Sequence, residues 1–468
     1  MKKINRFICI VYIFIFVFFS YQNVCLGKVY APAANTVTEA SVPPEDAPEI
    51  YSEAAIVMDA TTGQILYEKN AYSTMYPASI TKILTTLVAL ENCNPDDVIT
   101  MSDEAVYGID WDSSHISLKP GEQITIKDAL YATMLSSANE AAWGVAEYVG
   151  GDLDTFCDMM NEKAKELGCV GTHFVNANGL HNDNHYTCAY DMALITKAAL
   201  ENPQFVEITS TKYYTIEPTS YTAETRYLVQ GNKMLFEDSE YYYPGCYGGK
   251  TGYTNMAQGT LVTWCERDGI KLICVTMKSS LTAYKYMDTK ALFDYCYEKY
   301  EKAEPLDTFQ FTEEDIANTE AFLNQHYNCD NLGSLTLSID NPGYLLISRD
   351  ISSQNLTISY EMSDSLLDSM ICGTISIYYG EAFLYSVPVT YSGYINSTDE
   401  AAVADAMAKG IIKKPSGFNL WKFIIIFIFA GAIAFAGFCY HRRMVYIRRK
   451  REEYKKRRDK ARRNGQSF

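Results

Sequence analysis

The apolar positions of this chain are distributed in three ways, and each predicts a different kind of element. An uncharged apolar run from Phe7 to Ser20 follows Met-Lys-Lys-Ile-Asn-Arg and gives way to polar residues ending in Cys25-Leu26-Gly27. Charged, apolar and small-residue parts in that order predict a signal peptide over residues 1–27. A second run, residues 418–440, is rich in Ile, Phe, Ala and Gly and is long enough to cross a bilayer as one helix. Beyond it, residues 441–468 hold 13 Lys and Arg against Glu452, Glu453 and Asp459. The positive-inside tendency places this tail in the cytoplasm and the body of the chain outside.

Between the two runs the apolar residues follow helix and strand periods. Ala54 to Asp59 reads as a buried strand, Ala60-Thr61-Thr62-Gly63 as a turn and Gln64 to Glu68 as the returning strand. Ile80 to Leu90 is helical and strongly apolar, and further helices are expected at 127–148, 152–168 and about 190–201. Strands return at 259–265 and 270–277 around Arg267-Asp268-Gly269, and a helix follows at about 283–300. Such uneven interleaving is not a doubly wound βαβ pattern. It predicts a mixed α/β (α+β) domain over 51–303, a mostly antiparallel sheet with helices on its faces. Period-two runs at Ser334 to Ile339, Tyr344 to Ser348, Leu356 to Tyr360 and Gly373 to Tyr378 predict a small all-β domain over 304–398. Residues 28–50, with four prolines, read as a flexible lead-in, and 399–417 as a linker to the membrane.

Composition narrows the function. With 468 residues, 48% of them hydrophobic, the chain has enough apolar surface for at least two folded units and is not a disordered one. Both termini are basic, so residues 29–408 carry 19 basic against 54 acidic side chains, a net charge of −35. That excess argues against nucleic acid as a partner, and the basic tail reads as a topology signal beside anionic lipid heads. Of 13 cysteines, Cys9, Cys25 and Cys439 lie in the hydrophobic ends, and the other ten show no Cys-x-x-Cys pair or disulfide framework. They read as mostly free thiols. The six histidines do not cluster with them, so neither a metal nor a cofactor is expected.

Three short stretches carry chemistry. Pro77-Ala78-Ser79-Ile80-Thr81-Lys82 opens an apolar helix. Ser and Lys three apart project from one face, close enough for the amine to take the hydroxyl proton, and a serine at a helix start has its N–H where a developing oxyanion is stabilised. Alone, Ser-x-x-Lys is commonly a cap and a solvated lysine. Downstream, Ser136-Ser137-Ala138-Asn139-Glu140 offers a hydroxyl and an amide two residues apart, in a break between helical segments. Gly248-Gly249-Lys250-Thr251-Gly252 then supplies a cation for a carboxylate, a hydroxyl, and a glycine that admits a substrate backbone.

In that order, the three stretches resemble the penicillin-binding D-alanyl-D-alanine carboxypeptidases, low-molecular-weight relatives of the serine β-lactamases. The likeness spans Ala54 to Tyr297 and takes in Val57-Met58-Asp59-Ala60 with Tyr67-Glu68-Lys69-Asn70, Phe174-Val175-Asn176 with Gly179-Leu180, His185, Thr187, Ala189 and Asp191, and Asn232-Lys233-Met234-Leu235. It implies a β-lactamase-like fold and a penicillin-sensitive acyl-enzyme mechanism on peptidoglycan stem peptides. Ser79 would be the nucleophile, Lys82 its base and Ser137 a proton relay. Asn139 would hold the substrate amide, and Lys250 and Thr251 its terminal carboxylate, with the N–H groups of Ser79 and of Tyr253, after Gly252, as the oxyanion hole. It further implies a single-pass protein of a Gram-positive type of cell, its catalytic domain outside the membrane. A DD-endopeptidase on cross-links and a non-catalytic β-lactam sensor are the alternatives.

The chain departs from the family pattern in places. Lys285 stands where an arginine is expected, Ala138 where many relatives have glycine, and no Glu-x-x-Leu-Asn follows Asn139, which argues against a β-lactamase with its own deacylating glutamate. His185 reads as a structural histidine, His115 and His181 as surface residues, and Trp143 with the tyrosines at 241–243 as core or rim packing.

Overall fold

The computed structural model describes residues 45–327, 335–339, 343–363 and 371–392. The predicted signal peptide, linker, membrane helix and basic tail lie outside the described residues, as does the lead-in up to residue 44. Among the described residues no helix is long and apolar enough to cross a membrane.

Strand β1 (Ala54–Asp59) is buried at all six positions, which is why it reads as a continuous apolar run rather than an alternating one. Ile56 and Met58 face one apolar cluster, Ala55 and Val57 the other. It returns through a turn with Gly63 at φ +78° into β2 (Ile65–Lys69). Helix α1 (Lys82–Asn92) is buried from Lys82 to Ala89. The helix expected at 127–148 is two, α2 (Ile126–Leu135) and α3 (Asn139–Gly150), because Ser137 takes φ +58° between them, a conformation no helix accommodates. Helices α4 (Leu153–Glu166) and α5 (Ala189–Leu200) follow. Asp152 caps the first by accepting the Thr155 N–H at 2.8 Å.

The sheet is completed late in the sequence by β3 (Cys246–Thr254), β4 (Gln258–Arg267) and β5 (Ile270–Ser279), with α6 (Thr282–Lys299) after them. Strand order is β2-β1-β5-β4-β3, every neighbour antiparallel. This is the mixed α/β architecture expected, with β3 left at the sheet edge. One face shares an apolar cluster with α1, α2, α3 and α5 through Ile56, Val262, Ile273 and Val275, with α5 lying against β1, β4 and β5, and the other packs on Leu292, Phe293 and Cys296 of α6. Truncating a core residue such as Ile56, which is 0% exposed, would cost about 2–5 kcal/mol.

The described chain divides into two compact units, the first of 45–309, 343–359 and 376–386, the second of 310–327, 335–339, 360–363, 371–375 and 387–392. In the first unit Tyr300–Ala303 pairs antiparallel with Leu345–Ser348, a strand beyond the boundary expected at 303/304. A further sheet has the order Thr336–Ile339, Ala382–Ser392, Ile371–Tyr379, Leu356–Met362. The expectation that 304–398 is all-β needs correction, since Glu313–Tyr327 is a helix. Its start is a reciprocal cap: Thr312 Oγ1 accepts the Asp315 N–H at 3.0 Å while the Asp315 carboxylate accepts the Thr312 N–H at 2.9 Å. Three acidic residues in the first turn suit the positive end of the helix dipole.

Candidate active site

Ser79 sits in a 3-10 turn, Ala78–Thr81, that leads into α1. The turn begins with Ala78 at φ +51°, which costs a residue with a Cβ about 1–2 kcal/mol. It directs Ser79 and Lys82 to one side. Lys82 Nζ lies 3.1 Å from Ser79 Oγ and donates to Asn139 Oδ1 at 2.7 Å and to the Asn178 carbonyl. Burial and the charge of Lys250 hold the Lys82 amine well below the usual lysine range, with Glu140 opposing. A neutral amine has two hydrogens, enough for Asn139 and Asn178, and its lone pair is then left for the Ser79 hydroxyl.

The break between α2 and α3 supplies the second wall. Ser137, half-buried, presents its hydroxyl from the left-handed backbone noted above. Asn139 is buried at the first position of α3, and its N–H donates to the Ser114 carbonyl at 2.8 Å. Because Lys82 occupies its Oδ1, the amide nitrogen is directed elsewhere as a donor. Glu140, buried beside it, accepts the N–H groups of Ile116 at 2.7 Å and Leu118 at 3.4 Å, which ties the 114–118 loop to the start of α3.

The edge strand β3 is the third wall. Lys250 Nζ donates to Ser137 Oγ at 3.1 Å and to the Thr251 carbonyl at 2.8 Å. Burial, then the nearby Lys285, push this amine down to about 7. Thr251 is half-buried. At Gly252 a Cβ would stand 2.9 Å from the Ser79 nitrogen and 3.1 Å from the Ala78 Cβ, so only glycine lets β3 lie this close to the serine. Thr260 Oγ1 on the neighbouring strand donates to the Pro77 carbonyl at 2.9 Å, joining the sheet to the serine turn. Tyr253 turns its side chain outward, 59% exposed, and brings only backbone to the site.

Lys285, in the arginine position, donates to the Gly252 carbonyl at 3.3 Å and is pushed down to about 8 by burial and then Lys233. Lys82, Lys250 and Lys285 are all buried, and none forms an ion pair with a described residue. Within an acidic protein, Lys250 and Lys285 here offer positive charge to an anionic ligand, whose arrival would favour their protonated forms.

The structure thus brings together Ser79, Lys82, Ser137, Asn139, Lys250, Thr251 and Gly252, with Tyr253 at the rim. Sequence reasoning missed two participants. Asn178 acts through its carbonyl, for which no side-chain pattern exists, although Asn178-Gly179 marks a turn. Glu140 acts as a loop anchor. His185 is buried with its Nε2 2.8 Å from Thr81 Oγ1. His115 and His181 are exposed, Trp143 is half-buried and donates to Glu147 Oε1 at 3.1 Å, and Tyr243 is buried with its hydroxyl 2.8 Å from Asp294 Oδ1.

Comparison with known proteins gives this geometry a family. The model of a family described as D-alanyl-D-alanine carboxypeptidase matches residues 39–280. The D-alanyl-D-alanine carboxypeptidase DacF of Bacillus subtilis is 32% identical over 253 residues, 53% of this chain and 63% of that protein, so the chain spans less than two thirds of its length. DacB2 of Mycobacterium tuberculosis, of the same description, is 32% identical over 241 residues, covering 51% of this chain and 77% of its own. A solved D-alanyl-D-alanine carboxypeptidase structure from Mycobacterium tuberculosis superposes with a TM-score of 0.50 at 28% identity, over 55% of this chain and 96% of that one. A serine within hydrogen-bond distance of a buried lysine, itself bonded to a buried asparagine, on a chain matched over that stretch, leaves one assignment: the chain belongs to the D-alanyl-D-alanine carboxypeptidase family.

Proposed function

We infer that this protein is a serine-type D-Ala-D-Ala carboxypeptidase that removes the terminal D-alanine from peptidoglycan stem peptides through an acyl-enzyme on Ser79, and that β-lactams acylate the same hydroxyl. The observation that carries this reading is the amine of Lys82, which lies 3.1 Å from Ser79 Oγ and is held in place from the Asn139 side at 2.7 Å. A neutral Lys82 takes the hydroxyl proton as Ser79 Oγ attacks the carbonyl of the penultimate D-alanine. The oxyanion forms against the N–H groups of Ser79 and Tyr253. The proton taken by Lys82 is passed on through Ser137, itself hydrogen-bonded to Lys250, to the departing amine, so that the C–N bond breaks, D-alanine leaves and Lys82 is neutral again. Water then attacks the ester carbonyl while Lys82 takes its proton, and that proton returns to Ser79 Oγ as the ester C–O bond breaks.

Lys250, with Thr251, meets the terminal carboxylate. The Asn139 amide nitrogen donates to the acyl chain. Lys285 adds charge without the two-pronged geometry of an arginine, so the carboxylate is held chiefly by electrostatics. We place the catalytic domain outside the membrane, held by the 418–440 segment, on the strength of the apolar runs and charge asymmetry at the two ends of the chain.

The deciding experiment is release of D-alanine from a peptide ending in D-Ala-D-Ala by the purified protein. Turnover that vanishes in Ser79→Ala is the expected result. Absence of turnover in the wild-type chain would overturn the reading.

A further inference from the structure

We propose that Thr81 and His185 are positioning residues that set the direction of the Ser79 N–H, the donor that meets the oxyanion. The inference rests on the acyl-enzyme reading of Ser79. The Ala78 carbonyl and the Ser79 N–H are opposite edges of one rigid peptide plane. Whatever holds the carbonyl therefore aims the N–H. Thr81 Oγ1 donates to the Ala78 carbonyl at 2.9 Å.

A threonine hydroxyl bonded three residues back is common in helices and by itself means little. Here it is fed from behind. His185 Nε2 lies 2.8 Å from Thr81 Oγ1, and His185 Nδ1 accepts the Val175 N–H at 3.1 Å. A neutral imidazole has one hydrogen, and with Nδ1 accepting it must be on Nε2. The hydroxyl of Thr81 accepts from that ring and turns its own hydrogen to Ala78. The result is a one-way chain, Val175 N–H to His185, His185 to Thr81, Thr81 to the Ala78 carbonyl. Burial and then the nearby His173 push the ring down to about 3, so its donor state does not change in the neutral range.

The peptide so held needs holding. Ala78 is in the left-handed region at φ +51°, where relaxation would rotate the plane and with it the N–H. It is also closely walled: a Cβ at Gly179 would collide with the Ala78 carbonyl and stand 3.0 Å from the Ser79 nitrogen, and one at Gly252 would stand 2.9 Å from that nitrogen. Phe174 meets the His185 ring edge-on, with centroids 5.3 Å apart, and keeps it in register.

A merely structural histidine and threonine would show in stability; positioning residues show in the transition state. Thr81→Val removes the donor at nearly constant volume and Thr81→Ser retains it. With the full-length chain in detergent and a D-Ala-D-Ala peptide, Thr81→Val is expected to lower kcat by about 10- to 100-fold with little change in KM, part of the roughly 100- to 1,000-fold that loss of an oxyanion donor costs. Binding of a peptide boronic acid, whose adduct on Ser79 is tetrahedral, should weaken in parallel, and Thr81→Ser should restore both. Should Thr81→Val not fold, His185→Leu against His185→Gln is read in the same way, the glutamine keeping a donor. Wild-type kcat and boronate affinity in Thr81→Val with an unchanged melting temperature would overturn the proposal. Turnover by wild type but not by Ser79→Ala leaves the carboxypeptidase reading standing whichever way Thr81→Val falls; no turnover by wild type overturns both.

Discussion

Lys250 reaches Ser137 with its ammonium 3.1 Å from the hydroxyl oxygen, across 113 residues of sequence. The contact joins the edge strand β3 to the break between α2 and α3, and it brings an amine whose pKa is lowered by burial to about 7 to the position that the carboxypeptidase reading gives to the substrate carboxylate.

One consequence is a pH dependence. An amine is charged below its pKa, so the carboxylate affinity supplied by Lys250 is fully present below about 7 and is lost as pH rises through that value. Lys82 must instead lose its proton to act as base, which sets the acidic limb. We expect kcat/KM to be bell-shaped, its alkaline limb beginning near 7. The limb in kcat should lie at higher pH, because a bound carboxylate keeps Lys250 protonated. Profiles of both constants, with free and amidated terminal carboxylates, check this; the amidated peptide should lack the early alkaline limb in kcat/KM.

The same amine destabilises the fold. Between about 7 and the ordinary value of 10.5 the unfolded chain binds a proton that the folded chain does not, so stability rises with pH over that window. Lys250→Met should therefore raise the melting temperature at pH 7 while abolishing turnover, the usual trade at a functional site. Differential scanning calorimetry at pH 7 and pH 9 checks it, the gain being smaller at the higher pH.

On the acyl-enzyme reading Ser79 and Lys82 form one unit, so their losses should not add. Each of Ser79→Ala and Lys82→Ala is expected to lower kcat by several orders of magnitude, with the double variant little worse than either single. D-alanine release and covalent labelling by a fluorescent penicillin provide the two readouts.

Away from the chemistry, Arg226 is bonded through both terminal nitrogens to Glu122, at 2.9 Å to Oε1 and 3.0 Å to Oε2, and Glu122 is 0% exposed. Its Nε also donates to the Ile116 carbonyl at 2.9 Å, near the loop that receives the Asn139 N–H. Arg226→Met leaves a buried carboxylate unpaired and should cost about 3–5 kcal/mol, much of it recovered when Glu122→Gln is added. Urea unfolding of the two variants measures the difference.

Much of this protein is legible in the order of its residues. A nucleophile, a base, a relay and a carboxylate anchor need particular side chains, so Ser79, Lys82, Ser137, Asn139 and Lys250 stand out by type and order. β1 stands out because a strand covered on both faces is apolar at successive positions, here from Ala54 to Met58. Backbone work is not legible in the same way: the Asn178 carbonyl behind Lys82, the left-handed turn of Ala78, and the chain from His185 through Thr81 leave no mark, since any residue has a carbonyl and no residue type records what touches it. The helix Glu313–Tyr327 escaped because its reciprocal Thr312–Asp315 cap was overshadowed by the period-two runs that follow it.

The amino-acid sequence by itself was sufficient to name groups that the fold brings together and to state that the domain is a mixed α/β one. Their convergence was a matter of folding alone. Antiparallel pairing carries β3, late in the chain, to a sheet edge beside the start of α1, and distances of about 3 Å between residues a hundred positions apart depend on packing and register, which no local pattern encodes.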